Sequence, residues 1–131
     1  MRMKNCFVGC LALLLVALSM GKAVCYGKDD CTKRGDCGHY IEGIVYDADG
    51  ETFDGVKVTL KGKNGYKASC KTTLDSDIEG YFGFFDGCGD WKEMKGSYIL
   101  TCKKAGYKAY KTKVSFDGKN YLEFFPELEE K

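Results

Sequence analysis

A seven-stranded antiparallel β-sandwich, braced by disulfides, is the fold class this sequence predicts. Three observations predict it. Short stretches of alternating apolar and polar residues recur along the chain, with Gly, Asp and Asn turns between them. Beyond residue 23 no window of about 11 residues or more carries helical periodicity. The only proline, Pro126, falls just past the last strand signal, where it breaks no ladder. A chain of 131 residues suits one domain with one core.

The strands follow in order. HYIEGIVYD (39–47) sets Ile41, Gly43 and Val45 against Tyr40, Glu42 and Ile44. GVKVTLKG (55–62) turns Val56, Val58 and Leu60 inward and Lys57, Thr59 and Lys61 outward. KASCKTTL (67–74) is a weaker, polar strand, whereas GYFGFFD (80–86) is aromatic, with Phe82 and Phe84 on one face. SYILTCKK (97–104) aligns Tyr98, Leu100 and Cys102. In YKAYKTKVSF (107–116), Tyr110, Thr112, Val114 and Phe116 share a face opposite Lys111, Lys113 and Ser115. YLEFF (121–125) is a last short strand. The predicted core is Val58, Leu60, Phe82, Phe84, Leu100 and Val114.

Residues 1–23 carry the pattern of a secretory signal. Arg2 and Lys4 precede the apolar run CLALLLVALSM (10–20), which is too short to span a bilayer. Small residues follow at Ala17, Ser19, Gly21 and Ala23, and cleavage after any of the last three fits. The expected location is therefore secreted or extracytoplasmic (periplasm, cell surface or extracellular space), with no membrane span after signal removal. Residues 24–38 read as an irregular, cysteine-containing arm, 39–126 as the sandwich domain and 127–131 as an acidic tail.

Signal removal takes Cys6 and Cys10 with it and leaves Cys25, Cys31, Cys37, Cys70, Cys88 and Cys102. An even number in a small exported chain points to disulfides. The spacing of Cys25, Cys31, Cys37 and His39 lacks the short chelate of structural zinc sites. With Asp77 to Gly80 closing a hairpin, Cys70 falls opposite residue 87, and one bulge residue aligns it with Cys88. Cys70 with Cys88 is thus the preferred pair. Cys102 then needs a partner from the arm, whose identity stays open, and the two remaining cysteines bridge each other.

The stretch DSDIEGYFGF (75–84) offers two readings. Asp75, Asp77 and Glu79 before Gly80 resemble the start of a calcium loop, with Asp86 at the last ligand position. Asp86 is shorter than the usual glutamate, and the flanks are strand-like rather than helical. A tight turn at Gly80 accounts for more of these residues. No cofactor is expected.

The segments IEGIVYDADGETFDGVKVTLKG, DIEGYFGF and YILTCKKAGYK, in this order and spacing, resemble the carboxypeptidase regulatory-like domain over roughly residues 39–125. The resemblance implies a Greek-key, transthyretin-like (prealbumin-like) sandwich. It also implies a non-catalytic accessory role, as in modules appended to secreted peptidases, receptors or surface proteins. The cysteines, the arm before Cys37 and the segment DGCGDWKEMKG depart from the family pattern.

Catalysis is not expected. His39 is the only histidine, and no HExxH or phosphate-binding glycine loop occurs. A ureide hydrolase of the transthyretin-like fold relies on several histidines, an arginine and a terminal Tyr-Arg-Gly-Ser motif. This chain ends FPELEEK, and Arg34 is the one arginine beyond the signal. The formal charge is +1. Cleavage after Ala23 removes three basic residues and leaves 17 basic against 19 acidic, near −2, which does not favour nucleic acid.

Two surfaces remain as candidates. The outward Lys57, Lys61, Lys103, Lys104, Lys108, Lys111 and Lys113 suit either a solvated, aggregation-resistant face or a basic face for acidic glycans or an anionic cell surface. Trp91 either stacks on a partner or caps the end of the sandwich. The expected function is a secreted, non-catalytic module with a protein or glycan partner and a binding or structural role. The alternatives are an inhibitor or effector acting on an enzyme through the 86–97 loop, and a calcium-dependent module.

Overall fold

Seven strands form where the alternation places them: β1 (His39–Ile44), β2 (Lys57–Gly62), β3 (Lys67–Lys71), β4 (Tyr81–Asp86), β5 (Gly96–Lys103), β6 (Tyr110–Phe116) and β7 (Leu122–Phe124). A 3₁₀ turn, Lys92–Met94, lies between β4 and β5. The computed structural model describes residues 34–62, 65–73 and 78–131. The expected signal, Cys25, Cys31, Asp75 and Asp77 lie outside them. No helix among the described residues is long and apolar enough to cross a membrane.

The strands build two sheets, one in the order β4-β1-β7 and the other β3-β2-β5-β6. Both turn apolar faces into one core. Val58, Leu60 and Leu100 come from the large sheet and meet Ile41, Phe82 and Phe84 from the small one, all buried as their alternation requires. Val114 completes the predicted set. Gly43 lies in the middle of β1 because β7 comes close there. A Cβ at this position would sit 1.9 Å from the Phe124 carbonyl oxygen.

Three expectations are corrected. Pairing is not wholly antiparallel, because β7 lies parallel to β1, with Ile41 beside Leu122 and Gly43 beside Phe124. The chain reaches β7 by crossing over from the other sheet, and such a crossing does not impose the reversal that a hairpin does. The acidic segment 127–131 packs into the domain instead of lying beyond it as a tail. Leu128 is fully buried, its amide donates to the Tyr46 carbonyl, and the Lys131 amide donates to Gly106.

The preferred disulfide is the third correction. Cys88 is bonded to Cys37, not to Cys70. β3 and β4 lie in different sheets, so they form no hairpin that could bring Cys70 opposite Cys88. The antiparallel register of β1 with β4 sets His39 against Asp86. Extended two residues outward, it sets Cys37 against Cys88, with a Cα–Cα distance of 5.4 Å. Cys70 and Cys102 both lie buried and flank Val58, one from β3 and one from β5. Two strand spacings, about 10 Å, separate them, too far for a bond between them. Cys102 is a thiol rather than half of a bridge to the arm.

The Cys37–Cys88 bridge spans 51 residues of chain. Replacing both cysteines by serine should cost about 2–4 kcal/mol, read as a lower urea midpoint. A loss below about 1 kcal/mol would mean that the bridge adds little to the β1–β4 ladder.

Burial pushes the Cys102 thiol up to about 12, from an ordinary value of 9.0. The native state therefore keeps the thiol neutral, while unfolding lets it ionise. The stability from this protonation is complete below pH 9 and is lost as pH rises from 9 towards 12. Cys102→Ala should flatten the alkaline fall in unfolding free energy relative to the parent protein. An unchanged slope would show that the thiol ionises as easily in the native state.

Candidate binding surface

The outer face of the large sheet is built by alternation. In β2, β3, β5 and β6 the residues between core positions point to solvent, and the register lines them up in rows across the strands. Lys71, Lys57 and Lys103 make the first row. Ser69, Thr59, Thr101 and Lys111 make the second. Lys67, Lys61, Ile99 and Lys113 make the third. All seven lysines in these rows are exposed. The two ion pairs among the described residues, Arg34–Glu42 and Lys108–Glu129, involve none of them.

The strands of this face bring no carboxylate to it, because 55–74 and 94–116, the stretches of sequence that hold them, contain no Asp or Glu. The protein is therefore strongly polarised in charge although its net charge is small. Lys57, Lys61, Lys103, Lys111 and Lys113 stand on this face as expected. Lys104 and Lys108 do not belong to its rows. Lys104 lies over the Phe53 ring at 5.4 Å, and Lys108 pairs with Glu129 at 3.5 Å. Lys67 and Lys71 were missed, although the period-two pattern of KASCK, with Cys70 inward, would have placed them here.

Trp91 takes the capping role rather than that of an exposed anchor. Its indole N–H donates to the Asp86 carbonyl at 2.7 Å, and its ring stacks on Phe85 at 4.8 Å. Phe85 stacks in turn on Phe116 at 5.3 Å. The 86–97 loop is held by further bonds, from the Cys88 amide to Asp86 Oδ1 and from the Tyr98 hydroxyl to the Met94 carbonyl. Of the carboxylates weighed for calcium, the two described ones, Glu79 and Asp86, do not come together. Glu79 accepts from the Thr52 hydroxyl at 3.0 Å, and Asp86 ends β4, the strand that starts just beyond Glu79. The length of that strand, about 20 Å, keeps the two apart.

His39, the only histidine of the sequence, is drawn in from the surface. It is 5% exposed and lies over Gly83, within a polar network on the outside of the small sheet. The Tyr81 hydroxyl donates to Glu42 Oε1 at 2.6 Å. Having only that proton, it accepts at 2.8 Å from His39 Nδ1, which must carry hydrogen. The His39 amide also donates to Glu42 Oε1, and Arg34 Nε faces Oε2 at 3.5 Å. Burial, aided by the Glu42 carboxylate, raises the Tyr81 hydroxyl well above the ordinary tyrosine range. It stays protonated and acts as a bridge rather than as a base. Sequence spacing gave no signal for this group, because Tyr81 reaches Glu42 only through the β1–β4 register.

No family model matches the chain, and no curated relative matches it. Among solved structures it is similar to 3-chlorocatechol 1,2-dioxygenase from Rhodococcus opacus 1CP, with 10% identity and a TM-score of 0.49, covering 77% of this chain and 64% of that one. A catechol 1,2-dioxygenase of Acinetobacter radioresistens shows 12% identity and a TM-score of 0.47, covering 70% of this chain and 51% of the enzyme. The dioxygenase domain of a dioxygenase carbohydrate-binding protein fusion from Streptomyces sp. SirexAA-E shows 12% identity and a TM-score of 0.45, covering 81% and 94%. The chain thus spans less than two thirds of the first two enzymes. These similarities assign no chemistry to it.

Tyr81→Phe should cost about 1–3 kcal/mol, because it strips one buried partner from both Glu42 and His39. Chemical unfolding measures this. A change near zero would mean that solvent replaces the hydroxyl and that the network is not a stabilising unit.

Proposed function

We propose that the chain is an exported, non-catalytic β-sandwich module of the carboxypeptidase regulatory-like, transthyretin-like kind, which takes an anionic partner on the outer face of its large sheet. The observation that carries this reading is the set of seven exposed lysines in register on strands that contain no carboxylate on that face. Protection of sheet edges accounts for lysines on the edge strands β3 and β6. It does not account for Lys57, Lys61 and Lys103, which stand on the central strands β2 and β5. Like charges placed directly opposite each other destabilise a sheet, and an anionic partner relieves that repulsion.

Other features support the rest of the reading. The Cys37–Cys88 bridge is compatible with an oxidising compartment. Gly43, the glycine of the IEGIV segment, stands where an added Cβ would strike the Phe124 carbonyl of β7, which fits the family resemblance. The one histidine is buried and bonded to Tyr81, which argues against its use as a catalytic base.

The test is binding of the folded protein to a panel of anionic probes: dextran sulfate, inorganic polyphosphate and phosphatidylglycerol vesicles. At least one should bind at low salt, weaken as salt rises, and be lost on Lys57→Glu with Lys61→Glu while Trp91→Phe leaves it unchanged. Binding that survives the charge reversal, or no binding to any probe, would overturn the proposal.

A further inference from the structure

The rows on the large sheet are not uniform. The first row is lysine throughout, and the third carries Lys67, Lys61 and Lys113 around Ile99. The row between them is made of the short hydroxyl side chains Ser69, Thr59 and Thr101, ending at Lys111 on the β6 edge. Thr59 Oγ1 and Ser69 Oγ lie 3.0 Å apart, so these hydroxyls already form part of a hydrogen-bonded line. Rows that alternate on one face are about 6.7 Å apart, so the two lysine lines are separated by about 13 Å. The face therefore sets a line of short hydroxyl side chains between two lines of flexible cations.

Resting on the reading of this face as an anion-binding surface, we infer that its ligand is a linear anionic polysaccharide, lying across the strands along the Ser69–Thr59–Thr101 line between the two rows of lysine. The hydroxyl line supplies donors and acceptors to sugar hydroxyls. The lysine lines supply compact charges that meet sulfate or carboxylate groups without fixed geometry, as lysine does and arginine does not. Other polyanions match less of the surface. Single-stranded nucleic acid needs aromatic side chains on which bases stack, and none stands in these rows. A bilayer surface needs a stripe of inserting apolar side chains, and Ile99, 38% exposed, is the one apolar side chain of the three rows. A folded acidic protein needs a desolvated apolar centre, which a hydroxyl row does not provide.

Titration calorimetry on the folded protein separates these cases, with dextran sulfate, uncharged dextran, inorganic polyphosphate and phosphatidylglycerol vesicles as probes. Dextran sulfate should bind more tightly than polyphosphate at equal charge, and uncharged dextran should not bind. Thr59→Val with Thr101→Val leaves every charge in place and suits a β-strand. It should weaken dextran sulfate about tenfold, the effect of losing hydrogen bonds of ordinary strength, and leave polyphosphate unchanged. Lys57→Gln with Lys103→Gln, and separately Lys61→Gln with Lys113→Gln, should each weaken dextran sulfate, because each pair belongs to one lysine line. An unchanged unfolding midpoint shows that the variants are folded. If polyphosphate or vesicles bind as tightly as dextran sulfate and the valine pair changes nothing, the polysaccharide site is overturned while the anion-binding surface stands. If no probe binds, both fall.

Discussion

Strand β1 is gripped along both edges, and the rest of the molecule depends on that arrangement. On one side it pairs antiparallel with β4, on the other parallel with β7. The Cys37–Cys88 bridge continues the first ladder past the end of the strand. The second ladder requires Gly43, since any side chain there would strike the β7 backbone. By holding β4 and β7 in place, β1 sets Phe82 and Phe84 against Leu60 and Leu100 and closes the core. The network of Glu42, Tyr81 and His39 then covers the outside of the same strand pair with its polar groups paired, which is the condition for burying a carboxylate cheaply.

The aromatic end of the sandwich rests on one unusual residue. Phe85 has φ 65°, a left-handed conformation that is costly for a bulky side chain. Strict alternation would put Phe84 and Phe85 on opposite faces, yet both are buried in the core cluster. The left-handed backbone turns the Phe85 ring towards Trp91, Phe116, Tyr98 and Tyr66. Burial of that ring among four others offsets a strain of about 1–3 kcal/mol. The same packing draws Trp91 inward, which leaves the large-sheet face, rather than the 86–97 loop, as the chemically distinctive surface.

That face and the core beneath it are two sides of one alternation. Val58 and Leu60 hold β2 in the core at 0% exposure, and by doing so hold Lys57 and Lys61 outward on a fixed lattice. Flexible surface lysines avoid one another when they can. Here the strand register sets Lys57 directly between Lys71 and Lys103. The core thus enforces a charge density that the surface residues alone would not assemble, although salt screens part of the repulsion.

The sequence by itself determined the seven strands, the inward set and the outward lysines of β2 and β6, because a period of two is a local property of the backbone and survives any topology. Gly80 was also legible. Its φ of 75° belongs to the left-handed region that glycine enters freely. What only the tertiary structure decided is which strands lie side by side. Assigning β3 and β4 to different sheets turned Cys88 from Cys70 to Cys37, and the crossing into β7 made its pairing parallel. The burial of His39 beside Tyr81, the docking of Leu128 and the inward turn of Trp91 have the same origin. Each depends on contact between segments distant along the chain. Alternation sets the face of each side chain but carries no information about its neighbour across the gap.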